Sequence, residues 1–275
     1  MASLICFFYL YSVVSKEVVP MCIRIDSDIP IGAGLGSSAA LSVCLATGLL
    51  SIARPETFNL CEATKDEISR LAFLSEKILH GTPSGVDNSV SSYGGMIEFA
   101  NGVVTLLESV PRLRILLVNT NVSRNTKHVI EKVRDQFIAM PRVVKAVMDA
   151  IDGVSHTALA NLKAMAEEGD TKERYETAEK LLDYNQKLLE ALNVSHPALE
   201  EICSLVAEYD LHAKLTGAGG GGFAFVLLPP YCAEKAVSEV KVKLAEKGFD
   251  CRETSLGVSG VQISHLNHDP NCATS

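Results

Sequence analysis

An α+β architecture in two parts is what this sequence predicts, on three observations. Short apolar runs with strand character alternate along the chain with longer segments of helical period. A glycine-serine stretch, Pro30-Ile31-Gly32-Ala33-Gly34-Leu35-Gly36-Ser37-Ser38-Ala39-Ala40, joins a predicted strand over 21–26 to an apolar run over 39–53. A second glycine run, Lys214-Leu215-Thr216-Gly217-Ala218-Gly219-Gly220-Gly221-Gly222, leads directly into an apolar segment over 223–228 that reads as another strand.

The chain has 275 residues, 47% of them apolar, enough for one large domain or two ordinary ones. Its formal net charge of −8 argues against a general nucleic-acid binder. An anionic ligand would therefore need local help from glycine amides and a few basic side chains. The eight cysteines have no paired C-x-x-C spacing, and several fall inside apolar runs, so they read as buried thiols in a reducing compartment.

Taken in order, the apolar stretch 4–14 is too short to span a bilayer before Lys16 and lacks a basic leader and a cleavage site. It is expected to form a buried helix. Residues 18–26 read as a strand, and the Ala- and Leu-rich run to 53 as a helix. A polar connector with Pro55 follows. Thr64-Lys65-Asp66-Glu67 has capping-box spacing and opens a predicted helix to about 79, with Ile68, Leu71, Leu74, Ile78 and Leu79 as its buried stripe. Glu76 lies at the border of that stripe, where a carboxylate either reaches inward to a site or sits on a solvated flank.

His80-Gly81-Thr82-Pro83-Ser84-Gly85-Val86-Asp87-Asn88 is dense in turn formers and reads as a loop. After 89–99, Asn101-Gly102 is a two-residue hairpin signal before 103–107. A boundary near 108–112 divides the chain into 1–108 and 109–275. The second part opens with a strand over 114–118, continues as helix from 127 to about 210 with breaks at Gly169, Asn193 and Pro197, and passes through strand 223–228. A helix over 233–247 and short strands over 251–255 and 261–264 complete it.

The glycines of the first stretch let the backbone bring its N–H groups against a ligand with no Cβ in the way. The first turn of the helix that follows offers unpaired N–H groups and the positive end of its dipole to a phosphate. The serine hydroxyls add a magnesium ligand of the oxygen type. A tight strand-to-helix turn with close packing would explain the same glycines. Neither common nucleotide fingerprint is present: no Gly-Lys-Ser/Thr follows, and the G-x-G-x-x-G spacing is absent. Asp87, four residues past Pro83, could by itself be a turn residue.

Three segments together, PIGAGLGSSAA at 30–40, HGTPSGVDN at 80–88 and KLTGAGGGG at 214–222, resemble the second motif, catalytic loop and third motif of the GHMP small-molecule kinases. HGTPSGVDN, with NTNVSRNT at 119–126, is similar to the mevalonate kinase branch of that superfamily. The resemblance implies a two-domain GHMP kinase fold. Its N-terminal part, 1–108, would be like the second domain of ribosomal protein S5, and its C-terminal part, 109–275, ferredoxin-like. It also implies ATP-dependent phosphorylation of the 5-hydroxyl of mevalonate, with both substrates meeting between the domains of a cytoplasmic homodimer. No nucleic acid or membrane partner is implied, and a peroxisomal association is left open.

By the same resemblance, the amides of Gly32, Ala33, Gly34, Leu35, Gly36 and Ser37 cradle the triphosphate, and Ser38 and Glu76 hold Mg2+. Asp87 accepts the proton of the acceptor hydroxyl. Arg124 and Thr126 match positions beside substrate and phosphates, and Gly217 and Gly219 bring backbone close to the site. His80 and His212 receive no role.

One departure stands out. The family's strand motif with a lysine and a Gly-Glu-His triplet, well ahead of the glycine-serine loop, has no counterpart in the 31 residues before Gly32. The N-terminal domain is therefore expected to be incomplete and its site to lack that cation. Asn121 also stands where relatives can carry lysine. Two other readings of these motifs stay open: a form that binds nucleotide or pairs with a full-length subunit without turnover, and a GHMP kinase with another acceptor.

Overall fold

The computed structural model describes residues 2–15, 17, 20–30, 34–124 and 126–264. The chain forms two compact units. The first gathers the N-terminal segment to Asp28, Gly36–Leu106 and the chain from Ser259; the second gathers Ile29–Leu35 and Leu107–Val258.

In the first unit, α1 (Ala2–Val14), α2 (Ser37–Ala53) and α3 (Glu62–His80) share one core of Cys6 and Leu10, Val43, Leu45, Ala46, Leu49 and Leu50, and Ile68, Leu71 and Ala72. Each fully buried leucine here contributes about 2 kcal/mol of transfer free energy. The short helix α4 (Val86–Tyr93) and the hairpin β1 (Ile97–Ala100) and β2 (Val103–Leu106) complete the unit. Asn101 and Gly102 turn the hairpin with φ of 53° and 78°, as a two-residue turn with both central residues left-handed requires.

Several expectations for this unit need correction. Residues 20–28 form no strand: a strand exists only with a ladder partner, and none is found among the described residues. Helix α1 is buried along one face only. Cys6 and Leu10 meet α2 and α3, while Leu4, Phe8 and Val13 are exposed. Helix α3 starts at Glu62 with Cys61 as its N-cap, because Glu67 is held instead by two 2.8 Å hydrogen bonds from Arg54. Ile78 lies outside the buried stripe, whose inward positions are taken partly by Ser69, Ser75 and Glu76. The 80–88 segment is a loop only to Gly85, since Val86 already begins α4. Residues 261–264 are not a strand. The chain there makes one bridge, Gly94 to Ser259, and the Val261 N–H donates to the Ser92 carbonyl. The cysteines are free thiols among the described residues, as expected, but Cys22, Cys44 and Cys61 are exposed rather than buried.

The second unit is built on four antiparallel strands. Strand β3 (Leu113–Asn119) is followed by helices α5 (Thr126–Ala139), α6 (Pro141–Glu168), α7 (Lys172–Ala191) and α8 (Pro197–Ala207). Then come β4 (His212–Leu215), β5 (Phe223–Leu227), α9 (Glu234–Glu246) and β6 (Asp250–Leu256), and the sheet order is β4-β5-β3-β6. Period-two alternation sends Leu116, Val118, Ala213, Leu215, Ala224 and Val226 to one face. There they pack on Leu199, Ile202 and Val206 of α8 and Val237, Val240 and Leu244 of α9. Gln186 of α7 accepts the Leu215 N–H at 2.9 Å, which caps the open edge of β4.

Candidate active site

In the first unit, the geometry starts at Gly36. Its φ of 72° lies in the left-handed region, where glycine carries no Cβ penalty, and it turns the chain into α2. Gly36 as N-cap has no side chain to cap that helix, so among the described residues the N–H groups of its first turn, at Ser37 and Ser38, are open to an anion. In that first turn the Ser38 hydroxyl donates to Glu76 Oε2 at 2.9 Å. One turn further, the Ser42 hydroxyl lies within hydrogen-bonding reach of Glu76 Oε1 at 3.4 Å and of the Ser75 hydroxyl at 3.2 Å. Ser38 and Ser42 are four residues apart on one face of α2, and Glu76 and His80 four apart on the facing side of α3. Glu76 is buried, so the inward-reaching alternative applies.

Asp87 lies in the first turn of α4, whose N-cap Gly85 also has a left-handed φ, of 84°. The helix is only eight residues long, and α3 holds it in place. Asn88 donates from Nδ2 to the Ser69 carbonyl (3.2 Å) and hydroxyl (3.0 Å). Tyr93 donates to Asp66, and burial together with that carboxylate pushes its phenol up to about 12. This anchoring sets the Asp87 carboxyl beside Gly36: a Cβ on Gly36 would be 3.4 Å from Asp87 Cγ. The structure thus brings Gly36, Ser38, Glu76 and Asp87 together. It adds His80, whose Nε2 is 3.3 Å from Ser38 Oγ and 3.7 Å from Glu76 Oε2. Sequence reasoning gave His80 no role, although its i,i+4 spacing from Glu76 was a usable signal.

In the second unit, Arg124 is the focal residue. Its guanidinium fits between two glycines with left-handed backbone, Gly34 (φ 73°) and Gly217 (φ 64°). A Cβ would lie 1.5 Å from Arg124 Nη2 at Gly34 and 2.6 Å from Nη1 at Gly217. Nη1 is buried and has no hydrogen-bond partner among the described residues. A buried donor without a partner costs about 1–3 kcal/mol, which an anionic ligand would recover.

Gly219 answers to a different need. A Cβ there would strike the Val194 carbonyl oxygen at 2.1 Å, the same oxygen that accepts the Gly220 N–H at 2.8 Å. Its absent side chain is explained by packing within the unit. Thr126 opens α5 and is exposed, and Leu35 is half-buried beside Gly34 in sequence. Gly32 and Ala33 lie outside the described residues. Asn121 ties the start of its loop to the adjoining start of β6, where Asp250 pairs with Asn119. With a φ of 55°, it donates from Nδ2 to the Gly248 carbonyl and to Asp250, both at 3.0 Å.

A glycine-capped helix with a serine–glutamate pair and an aspartate beside the glycine thus lie in the first unit, and an arginine between two further glycines lies in the second. Residues 6–95 match the GHMP kinases N terminal domain and residues 158–246 the GHMP kinases C terminal domain. The chain belongs to the GHMP kinases and, within them, to the mevalonate kinase family. It is 41% identical over 273 residues to the mevalonate kinase of Bos taurus, covering 95% of this chain and 69% of that protein. It is 40% identical over 273 residues to that of Homo sapiens, with the same coverage. Among solved structures, Methanococcus jannaschii mevalonate kinase superposes with a TM-score of 0.71 at 27% identity, covering 92% of this chain and 74% of that one. L. major mevalonate kinase in complex with R-mevalonate gives 0.74 at 23% identity, covering 94% and 78% respectively, a likeness of fold. The α+β, two-domain GHMP expectation is therefore correct.

Proposed function

We propose that the protein transfers the γ-phosphoryl group of ATP to the 5-hydroxyl of mevalonate. The observation that carries this reading is the position of the Asp87 carboxyl against the glycine turn that opens α2, in the same unit as the Ser38–Glu76 pair. Phosphoryl transfer needs neutralised phosphate charge, an oriented acceptor and a destination for its proton. Asp87 is the proton acceptor as the new phosphorus–oxygen bond forms. The amides from Gly32 to Ser37 and the backbone at Gly217 and Gly219 support the phosphates. Arg124 meets an anionic oxygen with Nη1, which has no hydrogen-bond partner among the described residues, and Thr126 serves as a hydroxyl contact.

Ser38 and Glu76 suit a hard cation: both offer oxygen, and the carboxylate is buried and oriented by hydroxyls. Among the described residues no group of three or more His, Cys, Asp or Glu could hold a metal. Mg2+ at this pair would therefore take its remaining ligands from phosphate and water, and it would supply charge neutralisation to the leaving phosphates. We read 1–108 as the N-terminal and 109–275 as the C-terminal GHMP domain, working in a cytoplasmic homodimer. Among the described residues no helix is long and apolar enough to cross a membrane.

The test is ADP release with mevalonate, phosphomevalonate and galactose as alternative acceptors. Preference for mevalonate is expected. Preference for galactose would overturn the assignment of acceptor, and nucleotide binding with no turnover on any acceptor would favour a non-catalytic subunit.

A further inference from the structure

We propose that His80 is a positioning residue that holds the Ser38 hydroxyl in its ligating orientation. This rests on the reading that Ser38 and Glu76 hold Mg2+. The Ser38 hydroxyl has one proton, and Glu76 Oε2 accepts it at 2.9 Å. His80 Nε2 lies 3.3 Å from the same oxygen, so its N–H is the donor that occupies one Ser38 lone pair. With one lone pair filled and the proton directed at Glu76, the other lone pair is the one left for a cation.

The two sides of the pair are held differently. Glu76 is secured from within by Ser42, which is fully buried and also lies within reach of Ser75. Among the described residues His80 is the partner on the outer side of Ser38, and the His80 side chain is 56% exposed against 8% for Glu76. A serine hydroxyl turns freely about its Cβ–Oγ bond, so a second, fixed partner is what keeps it oriented. A histidine that merely ends α3 would leave the pair unaffected when removed.

The experiment compares His80→Ala and His80→Gln with the unaltered protein, since glutamine keeps an N–H donor near the place of Nε2. ATP binding is titrated calorimetrically across a range of Mg2+ concentrations with no acceptor present, and kcat and KM for Mg·ATP and acceptor are measured alongside. His80→Ala should raise the Mg2+ concentration for half-maximal ATP binding about tenfold, the low end for losing a partner of a metal ligand. KM for the acceptor and the melting temperature should stay unchanged, and His80→Gln should restore most of the Mg2+ dependence. An unchanged Mg2+ requirement in His80→Ala overturns the proposal, and so does an equal loss in both variants. Glu76→Gln separates the two levels. If it shifts the Mg2+ requirement while His80→Ala does not, only the role of His80 fails. If neither shifts it, the magnesium reading fails and takes this one with it.

Discussion

The Ser38 hydroxyl donates across 2.9 Å to the carboxylate of the buried Glu76, joining the first turn of α2 to the inner face of α3. The pair can be a structural tie or a cation site, and the two roles respond differently to an isosteric change. Glu76→Gln keeps the shape and an acceptor for Ser38 but removes the charge. We expect a Mg2+ requirement raised at least tenfold and a fall in kcat of about 10². The melting temperature should drop only a few degrees, since the hydrogen bonds of a neutral amide are worth about 1 kcal/mol each. Kinetics at varied Mg2+, with thermal denaturation alongside, check both.

Gly34 and Gly219 have similar left-handed backbones but different neighbours. A Cβ at Gly34 meets the end of the flexible Arg124 side chain, which can swing away, whereas one at Gly219 meets the Val194 backbone. Gly34→Ala should therefore cost about 1–2 kcal/mol of stability from its backbone conformation while displacing the guanidinium, seen as weaker ATP binding. Gly219→Ala should cost more, about 2–4 kcal/mol, because the carbonyl it strikes also accepts the Gly220 N–H. Denaturant unfolding of both variants ranks them.

Acid should weaken the second unit through Glu253. Its carboxyl is held far below the ordinary value of 4.5, at about 2, first by a hydrogen bond from Arg114 and then by Lys241 at 2.6 Å. A pKa depressed in the folded state gives stability that is present above the unfolded value and is lost as pH falls toward the folded one. Both Arg114 and Glu253 are about one-third exposed, so the contribution is modest. Arg114→Ala should lower the melting temperature by a few degrees at neutral pH, and the gap from the unaltered protein should narrow between about pH 5 and pH 3. A gap that stays constant through that window would contradict the assignment to Glu253.

What the sequence disclosed follows from how local each signal is. The Asn101-Gly102 hairpin and the Ala- and Leu-rich helix α2 depend on neighbouring residues and could be read directly. The strand expected over 21–26 has the right alternation, but pairing is a property of two segments, and the alternation of one says nothing of its partner. Helix α4 was hidden because Val86-Asp87-Asn88-Ser89 has poor helix propensity. Its stability comes from tertiary contacts, chiefly Asn88 to Ser69, nineteen residues away. The capping box at Thr64 gave way to the stronger bidentate pairing of Glu67 with Arg54. In the site, Ser38, Glu76 and Asp87 were nameable from motif resemblance, and the structure brings them into one unit. His80 needed the two facing helices before its neighbour Ser38 could be seen, and the reason for Gly219 needed the Val194 carbonyl.

Asp87, set against Gly36 at the start of α4, is proposed to take the proton from the acceptor hydroxyl, and the rest of the chemistry depends on that step. Asp87→Asn keeps the size and most hydrogen bonds of that side chain but cannot accept the proton. The decisive quantity is kcat for mevalonate phosphorylation by this variant, with Mg·ATP affinity determined on the same preparation. We expect kcat lower by about 10²–10⁴ with nucleotide affinity retained. Turnover equal to that of the unaltered protein would refute the role of Asp87.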